Sequence, residues 1–257
     1  MIEVVTLGAF VLAVLAILIV GWFILPFGLR RVAEARLARL CKAHKMIVLS
    51  YDDGPGPGLT QRLLGVLEGR GLATFFVLGR SVEINGDTVS QTISAGHEVG
   101  SHSFHHTNAW KVGPVRAARD LAAGIRLVRG LGGNGNLYRP PYGKLTLATL
   151  IDSRMRGQRF GWWTIDSNDT KNSDERRPIG DILDEIALRG GGVVLMHDFD
   201  RPANPDDSMS HDDYVISLTE QIIEFSEENG YRLMRLGDVL QMAQNGPQDR
   251  TQGDAQG

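Results

Sequence analysis

Met46-Ile47-Val48-Leu49-Ser50-Tyr51-Asp52-Asp53-Gly54-Pro55 is a largely apolar run, interrupted by Ser50 alone, that ends in two adjacent carboxylates and a Gly-Pro breaker. A short run apolar on both faces suits a strand of a parallel sheet covered on both sides. Fifty residues on from Asp52 stands His102-Ser103-Phe104-His105-His106. His102 and His106 are four apart, so on one turn of helix or a helix-like loop both imidazoles can reach one ion, while His105 points elsewhere. Two imidazoles and one carboxylate leave a position open for water, which marks a catalytic metal site rather than a closed structural one. The single cysteine, Cys41, excludes a cysteine-rich site and any disulfide within the chain. Adjacent carboxylates diverge in an extended or loop backbone, so Asp52 and Asp53 should do different work. If Asp53 ligates, Asp52 remains free to accept a proton from water. Taken singly, Asp-Asp-Gly-Pro is also an ordinary turn and His102/His106 an ordinary surface or capping pair; the weight lies in their combination.

Outward from this stretch, strands and helices alternate. Helices are expected over 59–67, 88–95, 115–131 and 214–228, and strands over 74–77, 97–100, 160–164 and 193–196. Each reactive motif falls just past a strand's carboxyl end, as βα-barrels place their sites. Gly132-Gly133-Asn134-Gly135-Asn136 lacks the flanking strand, helix and lysine of a phosphate loop and reads as a surface turn. Arg201 to Asp213 reads as a polar loop after His197, with His211 a solvated histidine within it.

Three further stretches follow in order: Arg139-Pro140-Pro141-Tyr142-Gly143, Trp163-Thr164-Ile165-Asp166-Ser167-Asn168-Asp169, and Leu195-Met196-His197. Together with the two above they resemble the motifs of NodB-type polysaccharide deacetylases, carbohydrate esterase family four, over Met46 to Met242. The resemblance implies an α/β fold, a distorted (β/α) barrel with fewer than eight units. It implies that Asp52 is the general base, that Asp53, His102 and His106 bind the metal, and that Arg139 orients Asp52 and holds it charged. It further implies that the Tyr142 backbone N–H serves the oxyanion, that His197 is the general acid, and that Asp169 orients His197 and raises its pKa. Tyr142, Trp163 and Leu195 form the expected substrate side. One departure stands out. The family's fourth motif usually ends Asp-Trp, but Thr170 follows Asp169 here, so an aromatic wall of the acyl or sugar pocket is missing. Trp162 and Trp163 are the candidates to line the cleft instead, since sugar rings stack on aromatic faces.

The amino-terminal region is different in kind. No charge occurs from Val4 to Leu29, and at ~1.5 Å per residue such a helix exceeds the ~30 Å hydrocarbon core of a bilayer. It lacks the basic start and small-residue cleavage site of a signal peptide. The expected organisation is therefore an anchor at 1–29, a basic juxtamembrane segment at 30–45, the catalytic domain at 46–242 and a disordered polar tail at 243–257. Arg30, Arg31, Arg36, Arg39, Lys42 and Lys45 follow the span, opposed only by Glu34, which by the positive-inside rule favours a cytoplasmic domain on a single-pass cell-membrane protein. Many members of the family act outside the membrane. With 42% hydrophobic and 22% charged residues the chain supports one sizeable core. A net charge of -3 gives no reason to invoke nucleic acid.

The expected activity is metal-dependent removal of an N-acetyl or other N-acyl group from an amino sugar of a polysaccharide, oligosaccharide or lipid-linked saccharide. Zn2+ is the expected ion, with Co2+, Ni2+ or Fe2+ compatible with the same ligands. A deformylase or O-deacetylase of a lipid-linked sugar could use the same apparatus. A noncatalytic membrane-tethered glycan-binding module would need neither Asp52 nor His197.

Overall fold

The computed structural model describes residues 2–202 and 207–245. A long helix opens the chain: α1 (Ile2–Ile19), a π-helical turn (Val20–Ile24) and α2 (Leu25–Ala43). Then come β1 (Met46–Asp52), α3 (Leu59–Leu67), β2 (Ala73–Val77), α4 (Gly79–Ser94), β3 (Glu98–Ser101), α5 (Pro114–Gly130) and β4 (Leu137–Tyr138). A 3-10 turn (Pro141–Gly143) leads to α6 (Leu147–Met155), β5 (Arg159–Phe160), β6 (Ile165–Asp166), α7 (Ile179–Arg189), β7 (Gly192–His197), α8 (His211–Asn229), β8 (Arg232–Leu233) and α9 (Leu236–Asn245).

The strands form one parallel sheet in the order β5-β4-β3-β2-β1-β7-β6, with β8 paired to the amino end of β1. Among the described residues β5 and β6 do not pair, so the sheet is a curled half-barrel rather than a closed one. All seven residues of β1 are buried, and the pleat sends alternate side chains to opposite layers. Ile47, Leu49 and Tyr51 pack outward against Leu63 of α3 and against Leu218 and Ile222 of α8. Met46 and Val48 pack inward with Phe76, Val193, Leu236 and Val239. Leu37 and Cys41 of α2 join this inner cluster, so the end of the first helix fills the barrel. Burial in that setting pushes the Cys41 thiol up to about 12, an inert group.

The expected helix over 59–67 and strand over 193–196 fall within a residue or so of α3 and β7, because each is bounded by glycine or a sharp change of polarity. Two expectations need correction. The helix expected over 88–95 begins at Gly79 and bends at Asn85; its first half mixes buried Gly79 and Val82 with exposed Arg80, Glu83 and Ile84 and carries little periodic signal. The strand expected over 160–164 is two short strands, β5 and β6, with Gly161–Thr164 crossing the open seam between them. Of the expected tail, 243–245 continue α9, and 246–257 lie outside the described residues.

Candidate active site

The pleat of β1 that turns Met46 and Val48 inward also turns Ser50 and Asp52 inward. Asp52 is in register with His197 of β7, so both side chains project into the same mouth. Asp53 has left the strand with a φ of +72°, and its carboxylate swings toward the histidines. The turn is held from beneath by Asp198, which accepts from the Gly54 N–H at 3.1 Å and from the Thr60 hydroxyl at 2.7 Å. Burial, with Asp52 and Asp53 nearby, pushes the Asp198 carboxyl up to about 7. A Cβ at Gly54 would run into that carboxylate, which is why glycine follows the aspartate pair.

The histidine motif is a tight turn beyond β3, not a helix: Ser103 and His106 have φ of +71° and +59°. Asp120 of α5 accepts from both the backbone N–H and Nδ1 of His105, at 3.0 and 2.7 Å, and turns that ring away as expected. His102 donates from Nδ1 to the Arg139 carbonyl at 2.8 Å. That bond leaves the Nε2 lone pair facing the site. Burial holds the His102 pKa at about 3, so the ring is neutral.

Asp53 Oδ1 lies 3.5 Å from His102 Nε2 and 3.4 Å from His106 Nε2. The three ligand atoms fall within 4.8 Å of one another. Asp53 Oδ1 is buried with no hydrogen-bond partner. A buried carboxylate oxygen left without a donor is costly, and a cation shared with two imidazoles would remove the cost. The residues therefore fit a divalent metal ion.

On one side of this triad, Arg139 donates from Nη1 to Asp52 Oδ1 at 2.7 Å, from Nη2 to the Ser50 hydroxyl at 3.0 Å and from Nε to the Gly161 carbonyl at 2.7 Å. Its guanidinium is fully buried, 4.1 Å above the Phe76 ring. Burial raises the Asp52 pKa above the ordinary carboxylate value, and the positive charge of Arg139 works against that rise. A buried carboxyl tuned upward but still ion-paired is suited to taking up a proton.

On the other side, His197 Nδ1 donates to Asp169 Oδ1 at 3.0 Å, and the His197 backbone N–H donates to Asp169 Oδ2 at 2.8 Å. Burial alone would lower His197, but the Asp169 charge outweighs it and raises the ring to about 10. Asp169 itself, although buried, is held well below the ordinary carboxylate range by His197 and His211. His211 is thus not a solvated loop residue. It opens α8, is buried, stacks on Phe199 with ring centroids 5.2 Å apart, and brings Nε2 to 3.3 Å from Asp169 Oδ2. Its isolation in sequence hid this; Ser210, which caps α8 by accepting from the Asp213 N–H, was the signal that a helix starts here and turns His211 inward.

Tyr142 sits in the 3-10 turn with φ +58° and its ring 4.5 Å from that of His106. Trp163 is half-buried, with Arg139 5.6 Å and Arg30 4.5 Å from its ring centre. Trp162 is buried and stacks on Phe160 with ring centroids 5.5 Å apart. Leu195 is buried on β7, in register with Ser50. Arg30 was not anticipated here: it donates from Nη1 to the Gly143 carbonyl at 2.7 Å, and only its position after an apolar span marked it.

Residues 39–160 match the polysaccharide deacetylase family. The chain is 28% identical over 200 residues to the peptidoglycan-N-acetylmuramic acid deacetylase PdaC of Bacillus subtilis, covering 76% of this chain and 38% of that protein. It is 30% identical over 174 residues to a chitooligosaccharide deacetylase of Rhizobium leguminosarum, covering 63% of this chain and 75% of that protein. Among solved structures, the family 4 carbohydrate esterase from Streptomyces lividans in complex with acetate superposes with a TM-score of 0.60 at 26% identity, over 73% of this chain and 91% of that one. The sequence match and the shared fold agree with the strand-end placement of the aspartate and histidine motifs, and this chain belongs to the NodB-type polysaccharide deacetylase family.

Proposed function

We propose that the chain is a metal-dependent amide hydrolase that removes N-acetyl groups from amino sugars. The observation that carries this reading is the orphaned Asp53 Oδ1 facing two imidazole nitrogens, flanked by an arginine-held carboxylate and a carboxylate-held histidine. A divalent ion at Asp53, His102 and His106 would polarise the acyl carbonyl and lower the pKa of water at its open position. Two imidazoles, one carboxylate and open positions favour zinc, with cobalt, nickel or iron able to replace it.

Asp52 takes a proton from the attacking water, whose oxygen adds to the acyl carbon. Arg139 fixes the carboxylate that does so and keeps its charge neutralised. The Tyr142 N–H donates to the oxygen that gains negative charge. His197, held protonated by Asp169, donates from Nε2 to the departing nitrogen as the C–N bond breaks. Water and amide are consumed; acetate and a free amine result. Trp163 and Leu195 border the substrate side.

The family relatives named above act on peptidoglycan and chitooligosaccharides, which supports an N-acetylated saccharide as substrate. Thr170, exposed where the family has tryptophan, leaves the acyl side less enclosed, so formyl and O-acetyl substrates belong in the same assay. Acetate should be released from N-acetylated amino sugars in the presence of zinc and not after chelation; formate as the sole product would replace the acetyl assignment.

The same reading makes residues 1–29 a membrane anchor, 30–45 a basic juxtamembrane segment, 46–242 the catalytic domain and 243–257 a tail. Phe10, Leu12, Leu15, Leu18 and Ile19 are all exposed on α1, a surface suited to lipid rather than water. The basic residues that follow favour a cytoplasmic domain. Protease added to sealed right-side-out vesicles should leave the domain intact; digestion would reverse the orientation.

A further inference from the structure

Arg30, Glu34, Leu37 and Cys41 follow one another along α2 at the spacing that puts residues on one face of a helix. Leu37 and Cys41 lie in the inner core, so the packing of the barrel sets the place of Arg30 two turns earlier. Buried Glu34 sets its direction: Arg30 Nε donates to Glu34 Oε1 at 2.6 Å, and Arg31 Nη1 donates to Oε2 at 2.8 Å. The half-buried Arg30 guanidinium then stands 5.0 Å from the centre of the Trp162 ring and 4.5 Å from that of Trp163. From there Nη1 donates to the Gly143 carbonyl at 2.7 Å.

Gly143 closes the 3-10 turn that carries Tyr142. Both residues are left-handed, with φ of +58° at Tyr142 and +62° at Gly143. A tyrosine keeps that backbone only where its surroundings over-determine it. Within the turn the Gly143 N–H donates to the Pro140 carbonyl at 2.8 Å and the Lys144 N–H to the Pro141 carbonyl at 3.1 Å. Arg30 adds a charged donor from a distant helix, and such bonds are roughly twice as strong as neutral ones. A Cβ at position 143 would run into the Arg30 guanidinium and the Trp163 ring, so glycine there admits the arginine. Arg30 precedes residues 39–160, which match the deacetylase family; the helix that brings it to the turn is this chain's own addition to that segment.

We propose that Arg30 is a positioning residue of the catalytic centre: it clamps the Gly143 carbonyl and so fixes the turn whose Tyr142 N–H meets the developing oxyanion. This rests on the deacetylase reading above and deepens it, because an oxyanion donor is effective only when it is aimed in advance at the place where charge appears. Glu34 holds the guanidinium, and the guanidinium holds the turn. α2 is then part of the catalytic unit as well as a filler of the barrel.

The test uses the full, zinc-loaded chain, chitotetraose and an N-acetylated muropeptide as substrates, and the variants R30M, R30K and R31Q. Methionine keeps an apolar stem on the tryptophan rings and removes the donors. R30M should lower kcat about 10- to 100-fold, as a displaced oxyanion donor does, with KM within about threefold and zinc content unchanged by mass spectrometry. R30K retains a donor but not the planar fork that reaches Glu34 and Gly143 together, so it should recover part of the loss. Arg31 is exposed and donates to Glu34 rather than to the turn, so R31Q should keep kcat within about twofold. As a readout independent of turnover, metal-free R30M should exchange the Gly143 and Lys144 amide hydrogens about tenfold faster than wild type, with β1 unaltered. A kcat in R30M equal to wild type, a loss confined to KM, or exchange that quickens throughout the barrel overturns the inference while the deacetylase reading stands. Wild-type protein that releases acetate from neither substrate overturns the deacetylase reading and this inference with it.

Discussion

Asp52 and Asp53 are the same residue type side by side, and the backbone between them gives them opposite tasks. One ends a strand with its carboxylate against Arg139; the other, at φ +72°, faces the two histidines. Replacing Asp52 with Asn should cut kcat/KM by about 10²–10⁴-fold, with zinc content measured by mass spectrometry unchanged. Replacing Asp53 with Asn should instead lower the bound zinc. The His197–Asp169 pair makes a pH prediction. Asp169 raises His197 to about 10, so removing the charge in Asp169→Asn must lower it, and the alkaline fall of kcat should move to lower pH. The stability signs differ for the two partners. Asp169 is depressed in the folded state, so its contribution is present above its ordinary 3.8 and lost as pH falls below it. His197 is raised, so its contribution is full below 6.5 and lost as pH climbs toward 10. His211→Ala removes a buried donor from Asp169 and should cost about 1–3 kcal/mol in urea unfolding; a loss near zero would mean that water replaces the ring.

At the scale of elements, the load falls on β1 and α2. Leu37 of α2 packs inside the barrel against the inner face of the sheet, so Leu37→Ala should cost about 2–5 kcal/mol, read as a shift in the denaturant midpoint. A chain starting near Leu29 should fold, whereas one starting at Met46 should aggregate because it exposes Met46, Val48 and Val193. Met46 to Asp52 was legible because a doubly buried strand is apolar over most of its length, here Met46 to Leu49, and stops where the chemistry begins. The metal triad was legible because the aspartate pair and the histidine pair, each ordinary alone, occur together and each just past a strand. His211 was not, since its partner Asp169 is far away in sequence and only packing brings them together. The split between β5 and β6 was equally hidden, because two-residue strands carry no period.

For the molecule as a whole, the divalent ion that Asp53, His102 and His106 fit is the outside partner that matters. Chelation should abolish acetate release and leave the far-UV circular dichroism intact, because the two core clusters hold the barrel without it. The melting temperature should fall all the same, since an ion at a hundred times its Kd adds about 2.7 kcal/mol. Arg139 carries a wider consequence. Starting beyond β4, its side chain spans the barrel mouth to Ser50 and Asp52 on β1 and catches Gly161 on the way. The hub of the wheel is thus a reactive group rather than an inert one. Evolution could not retire the chemistry of this protein by altering that spoke and keep the rim in shape, so descendants that lose the activity should do so first at Asp53 or the histidines.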